Sequence, residues 1–178
     1  MGLDLSAGGC RRRGFGRAAA IVALAVAALA LAASGCGKSG EGAETDPEKG
    51  SDAAILNEAL ARELTILDAY TRGQPLLRGR RRAVLRRLRA DQGEYVDAVT
   101  KAIRGLGGDT EAAAEELDAA RFADRAAFLD LVDELESEAV DFYVDQAAQL
   151  YTPAPRTLDA WLAAGHGRHL AMLPGGGG

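Results

Sequence analysis

Cysteine and histidine are both scarce in this chain, which has two of each among 178 residues. Cys10 precedes an apolar N-terminal stretch and Cys36 follows it, which leaves no free thiol if the first is removed and the second modified. Disulfide bonds and thiol catalysis are therefore excluded. Aromatic residues make up only 5% of the chain and β-branched residues are few, whereas Ala, Leu and Arg are abundant. This composition favours helices over sheets, and helix packing alone must hold the fold.

The N-terminus has the organisation of an export signal. A basic segment at 11–17 precedes the uncharged stretch 18–33, which is shorter than the ~20 residues that a membrane-spanning helix needs. Small residues then lead directly to Cys36, an arrangement that resembles the bacterial lipobox, in which the Cys thiol is lipidated. We predict a lipoprotein signal peptide over 1–35 and an exported protein held on the outer face of the cell membrane through acylated Cys36. An ordinary signal peptide that happens to contain Cys36 is the alternative.

Arg12 and Arg13, with Phe15 nearby, resemble a twin-arginine export motif. Arg11 and Gly16 depart from that motif, so a plain basic segment and the general export route stay open. Removal of 1–35 would leave 17 basic and 25 acidic residues. A mildly acidic domain is a poor candidate for binding nucleic acid, and we predict none. The sequence names no protein partner and leaves formation of a homo-oligomer open.

The rest of the chain divides by composition into a tether, a domain and a tail. Residues 36–52 are polar and Gly-rich and predict a flexible tether, while 174–178 predict a disordered tail. Apolar residues at helical spacing fill the region between them, 53–173. They predict four helices, over 53–71 with Ser51 or Asp52 as N-cap, 76–106, 122–150, and 158–173 with Thr157 as N-cap. Two short hinges and a longer link between helices 2 and 3 predict an all-α four-helix bundle with one crossover connection.

Polar residues interrupt the apolar stripe of every predicted helix. Glu63 lies between Leu60 and Leu67 at helical spacing, so its carboxylate points where the leucines point. A buried carboxylate costs several kcal/mol unless it is paired, protonated or bound to metal. The complete set of inward polar residues is Glu63 on helix 1, Gln92 and Tyr95 on helix 2, Glu136 on helix 3, and His166 and His169 on helix 4.

The sequence segments that contain these polar residues resemble the ferritin-like superfamily, and more closely exported bacterial ferritin-like domains. The resemblance extends over about residues 55–173. The resemblance is carried by LARELTILDAY at 60–70, LRRLRADQGEYV at 85–96, RAAFLDLV and LESEAV in helix 3, and HGRH at 166–169. It implies a di-metal site with one Glu from each of two helices and Glu-x-x-His from each of the other two. Glu63 and Glu136 match the single glutamates, whereas the two Glu-x-x-His motifs are replaced by Gln92-Gly-Glu-Tyr95 and His166-Gly-Arg-His169.

The replacements remove two of the four anionic ligands, which argues against a di-iron centre. We therefore expect a degenerate site in which the inward polar residues form a buried hydrogen-bond network, in a non-catalytic binding module. The alternative is a metal-binding oxidoreductase or iron-handling protein that holds a single iron, manganese or zinc ion on Glu63, Glu136, His166 and His169. A shifted frame on helix 2 would use Asp91 and Glu94, but these lie about 100° off the leucine stripe and are expected to face solvent.

Two further patterns allow a functional interpretation beside a structural one. Seven arginines within 77–89 predict an amphipathic helix whose basic outer face is either solvated or in contact with anionic lipid headgroups. Four aromatic residues are either core or a redox chain, namely Tyr70, Tyr95, Tyr143 and Trp161.

Overall fold

The computed structural model describes residues 46–173. The predicted export signal with Arg12 and Arg13, the lipidation site Cys36, most of the tether and the tail lie outside these residues. The described part contains α-helices and short 3-10 segments and no strand, which confirms the all-α prediction. The helices are α1 (Pro47–Gly73), α2 (Gly79–Gly105), α3 (Arg125–Gln146) and α4 (Pro153–Met172), with 3-10 turns at Gln74–Leu76 and Ala119–Phe122.

The four helices form two antiparallel pairs, α1 with α2 and α3 with α4. The long connection between α2 and α3 runs back along α1. Asn57 Nδ2 donates a hydrogen bond to the carbonyl of Asp109 at 3.0 Å, and the amide of Glu115 donates to Thr65 Oγ1 at 2.8 Å. This connection is the predicted crossover. Because it carries the chain to the end of α1 before α3 begins, α3 runs antiparallel to α1 and parallel to α2, with Phe128 beside Gly73 and Gln146 beside Ile55.

The first helix begins earlier than predicted. Asp46 is its N-cap and accepts a hydrogen bond from the amide of Glu48, while Pro47 occupies the first helical position. Proline suits this position because the amide there has no partner within the helix. Residues 47–52 are therefore helical rather than part of a flexible tether, and the predicted caps Ser51 and Asp52 are wrong.

Helices α3 and α4 also end or begin away from their predicted bounds. Asp124 caps α3 by accepting a hydrogen bond from the amide of Ala127 at 3.0 Å, so the helix begins at Arg125 rather than at 122, and it ends at Gln146 rather than at 150. Thr152 is the N-cap of α4, and the predicted cap Thr157 lies within that helix. Pro153 and Pro155 occupy the first turn of α4, where missing amide donors cost little.

The apolar stripes of the four helices meet in one core. Most residues of these stripes are fully buried, whereas Leu67, Val84, Leu106 and Leu135 lie at the margin of the core. Among the described residues no helix is long and apolar enough to cross a membrane. The buried stripe residues are Leu56, Leu60, Tyr70, Leu77, Leu85, Leu88, Val99, Ile103, Phe128, Val132, Ala139, Tyr143 and Leu162.

Candidate metal centre

Four ionisable side chains meet in the middle of the bundle. Glu63 comes from α1, Glu136 from α3, and His166 and His169 from successive turns of α4, and each is at most 1% exposed. We refer to these four as the mid-bundle cluster. Their convergence follows from the spacing that places each on the apolar stripe of its helix.

His166 links the two carboxylates. Its Nδ1 lies 2.7 Å from Glu136 Oε2 and its Nε2 lies 3.1 Å from Glu63 Oε1. An ionised carboxylate only accepts hydrogen bonds, so both ring nitrogens must carry protons to satisfy both contacts. His166 is therefore an imidazolium between two carboxylates.

Tyrosine and glutamine donors complete the hydrogen bonding of the carboxylates. The Tyr70 hydroxyl donates to Glu136, and the Tyr143 hydroxyl donates to Glu63. Gln92 Nε2 donates both to the Glu63 carboxylate and, at 3.1 Å, to the Glu63 carbonyl. Burial, reinforced by the nearby carboxylates, raises the pKa of each tyrosine well above 10, so both hydroxyls keep their protons and remain donors.

The pairing overrides the effect of burial on the charged groups. Burial by itself would raise the pKa of Glu136, but hydrogen bonds from His166 and His169 lower this pKa from 4.5 to about 2. Burial by itself would lower the pKa of His166, but its hydrogen bonds to Glu136 and Glu63 raise this pKa from 6.5 to about 9. Both groups are consequently charged at neutral pH.

His169 connects the cluster to the rim of the bundle. Its Nδ1 lies 3.2 Å from Glu136 Oε1, and its Nε2 lies 3.4 Å from the Tyr95 hydroxyl and 3.7 Å from Asp91 Oδ2. The Asp91 side chain is 33% exposed, whereas Glu94 is exposed. The expectation that both acids face solvent therefore holds for Glu94, whereas Asp91 is partly exposed and also approaches His169.

Tyr95 closes the cluster on the side of α2. Its ring stacks on His169 with 5.4 Å between centroids and meets Trp161 edge-on at 4.9 Å, and Trp161 is 42% exposed. Gly165 makes room for the phenol, because a Cβ there would lie 2.3 Å from the Tyr95 hydroxyl oxygen. The aromatic residues thus pack in contact from the cluster to the surface, and a redox role for them stays a prediction.

The donor set does not fit two metal ions. Two ions held together need several anionic ligands, but α2 meets the cluster with the amide N–H groups of Gln92 and the neutral hydroxyl of Tyr95. Gln92 Oε1 is buried without a partner among the described residues. A single ion fits better, because Glu136, His166 and His169 each offer one ligand atom and these atoms lie within 4.8 Å of one another. His166 would have to lose a proton to bind it.

A second pair of buried carboxylates lies where α1 meets the start of α4, and the sequence patterns did not reveal it. Asp52 accepts hydrogen bonds from the amides of Tyr151 and Thr152 at 2.7 and 2.9 Å, and from the Thr152 hydroxyl at 2.6 Å. Asp159 is fully buried, and neither of its carboxyl oxygens has a partner among residues 46–173. We call these two residues the aspartate pair.

The two members of the aspartate pair differ in charge state. Burial would raise the pKa of Asp52, but the hydrogen bonds from Thr152 and Tyr151 outweigh burial and lower it. Burial, with the neighbouring Asp52 charge as a smaller cause, raises the pKa of Asp159 from 3.8 to about 7. Asp52 therefore holds its charge and fixes the start of α4, while Asp159 is partly protonated at neutral pH.

Comparison with known proteins relates the chain to a protein family. A family model described as a ferritin-like domain matches residues 51–175, which is most of the chain. A search of curated proteins found no significant match, and a search of solved structures found none either.

Proposed function

The chain belongs to the ferritin-like domain family, and we propose that it is a membrane-anchored module outside the cytoplasm that works without a di-metal centre. In this proposal the ligand positions form a structural hydrogen-bond network, and the module acts by binding a partner rather than by catalysis. The observation that carries the proposal is the placement of His166 between Glu63 and Glu136, with a carboxylate oxygen facing each ring nitrogen.

A proton-based network accounts for every charge in the cluster. The imidazolium of His166 offsets one carboxylate charge, and the Tyr70, Tyr143 and Gln92 donors stabilise the remaining charge. Both carboxylates have hydrogen-bond donors from neighbouring side chains, and Gln92 Oε1 is the one oxygen of the network without a partner among residues 46–173.

Metal analysis of the purified chain tests the proposal. After growth with added iron, manganese or zinc, we expect less than about 0.1 ion per chain, because binding must displace the His166 proton. The double variant Gln92→Glu with Tyr95→His restores Glu-x-x-His in α2, and we expect it to gain metal. The matched control is Asp97→His, which creates the same spacing from Glu94 on an exposed face of α2 and should gain none.

The second candidate function is metal binding at a single-ion site, favoured by the close approach of Glu136, His166 and His169. When bound, an iron or manganese ion would supply redox chemistry and a zinc ion would supply a Lewis acid. The two histidines and Glu136 would hold it. About one ion per chain, lost in Glu136→Ala and His169→Ala but kept in Glu94→Ala, an exposed change on α2, would establish this candidate and overturn the first.

The anchor is a separate part of the proposal. It rests on the order of basic segment, apolar stretch and Cys36, all of which lie outside the described residues. We expect Cys36→Ser to release the protein from the membrane fraction or to block its processing. Unchanged membrane fractionation of this variant would contradict lipidation at Cys36.

A further inference from the structure

The first half of α2 carries a dense and unpaired positive charge. All seven of its arginines are exposed, and the first acidic residue of the helix is Asp91. Among residues 46–173, no carboxylate lies within 4.0 Å of any of these guanidinium groups, although Arg62, Arg72 and Arg121 all have such partners. We call this surface the arginine face; it consists of Arg78, Arg80, Arg81, Arg82, Arg86, Arg87 and Arg89.

The charge contrasts with the rest of the chain. The formal net charge is −5, although the arginine face alone contributes seven positive charges. One end of α2 is thus strongly basic on an otherwise acidic molecule. Such asymmetry orients a protein toward an anionic surface and turns its acidic remainder away from it.

The start of α2 adds a further attraction for anions. Arg78 is the N-cap residue, and its side chain makes no capping hydrogen bond. The first amides of the helix therefore have no side-chain acceptor, and the positive end of the helix dipole coincides with the arginine face.

An apolar groove borders the arginine face. Val84, Met172 and Leu173 line a cavity of about 260 Å³ together with Arg80 and Arg81. An apolar groove beside basic side chains suits a lipid surface, which is anionic at its headgroups and apolar just beneath them. The segment 78–90 contains no aromatic residue on which a nucleic-acid base could stack.

We propose that the arginine face docks on anionic phospholipid headgroups, with the guanidinium groups on lipid phosphates and the groove over the acyl boundary. The inference rests on the proposed anchor only in that a tethered domain stays near the bilayer. Each arginine near an anionic surface contributes about 1 kcal/mol, or about fivefold in partition, so several together orient a domain that is already held there.

Arginine footprinting on vesicles tests this orientation. The full chain is reconstituted into vesicles of phosphatidylcholine alone or of phosphatidylcholine and phosphatidylglycerol in equal parts. Phenylglyoxal modification is then followed at each arginine by mass spectrometry. We expect Arg80, Arg81 and Arg86 to react about threefold more slowly on the anionic vesicles, and this protection to disappear in high salt. Arg104, exposed at the other end of the same helix, is the internal control and should react equally on both.

Charge-reversal variants separate docking from folding and from anchoring. Arg80→Glu with Arg81→Glu changes only exposed side chains and should abolish the protection of Arg86, whereas Arg104→Glu should leave it intact. Equal modification on both vesicle types would overturn the proposal. So would equal protection by inorganic phosphate added to phosphatidylcholine vesicles, since the face would then bind free anions. A failure of the anchor is recognised separately, because the chain would then dissociate from phosphatidylcholine vesicles, whereas salt-sensitive retention on the anionic vesicles would still support docking and its absence would overturn it.

Discussion

The mid-bundle cluster and the aspartate pair are both groups of buried carboxylates, yet their protons are held in opposite ways. In the first, hydrogen bonds from His166 and His169 bring the pKa of Glu136 down to about 2 despite burial. In the second, burial without a partner brings the pKa of Asp159 up to about 7. Hydrogen-bond donors and cations around a buried carboxylate therefore keep it charged, and burial without them favours its neutral form.

The comparison also distinguishes two uses of a buried acid. Glu63 and Glu136 hold the four helices at one depth, because between them they receive hydrogen bonds from α1, α2, α3 and α4. Asp52 likewise receives its donors from the start of α4, whereas Asp159 receives none among the described residues. Asp159 thus weakens the fold at neutral pH, while the mid-bundle cluster strengthens it.

Removal of the central cation should have the largest effect. We expect His166→Leu to lower the free energy of unfolding by about 3–5 kcal/mol at pH 6, because it leaves two buried carboxylates without the charge between them. Urea unfolding measures the change. Arg168→Leu removes an exposed cation from the same turn of α4 and should cost less than about 1 kcal/mol.

The same pair of variants has an expected pH dependence. The folded-state pKa of His166 is raised from 6.5 to about 9, so its stabilising effect is complete below pH 6.5 and is lost as the pH rises through 9. The difference between wild type and His166→Leu should therefore shrink above pH 9. A difference that stays constant from pH 6 to 10 would show that His166 is not held as an imidazolium.

A larger side chain at Gly165, which packs against Tyr95, should lower the stability of the fold by an intermediate amount. We expect Gly165→Ala to cost about 1–3 kcal/mol of unfolding free energy, because the new Cβ would overlap the Tyr95 phenol. Gly167→Ala is a close control, since it lies two residues away in the same helix with nothing within 4 Å of the new Cβ. That change should instead stabilise the helix by about 0.5–1 kcal/mol. Equal changes in unfolding free energy for the two variants would show that Tyr95 does not pack against Gly165.

The sequence predicted the helices better than their ends. Apolar spacing located all four helices and the crossover, because burial of one face is a property of each helix alone. The start of α1 was hidden because Asp46 and Pro47 stand in a polar, Gly-rich stretch. The start of α4 was misplaced because Pro153 and Pro155 fit a break between helices as well as a first helical turn.

The sequence predicted which residues form the candidate site but not the hydrogen bonds between them. Positions on the apolar stripes identified Glu63, Glu136 and the two histidines as inward residues that converge. Which donor meets which acceptor depends on the rotation and depth of neighbouring helices, so the Tyr70 and Tyr143 hydroxyl partners could not be derived. Asp159 escaped notice because a polar residue near the predicted start of a helix is unremarkable in sequence.

Replacement of the unpartnered Asp159 should have the smallest effect on stability. It tests whether the aspartate pair differs from the mid-bundle cluster as described above. The folded-state pKa of Asp159 is raised from 3.8 to about 7, so the penalty is absent below pH 3.8 and grows until the pH passes 7. Wild type should therefore lose about 1–2 kcal/mol more stability between pH 5 and pH 6.5 than Asp159→Asn. His166 titrates in both proteins and cancels in this difference, and Asp145→Asn, an exposed change on α3, should behave as wild type. Parallel pH profiles for wild type and Asp159→Asn would mean that this carboxyl finds a donor, and the contrast with the mid-bundle cluster would be lost.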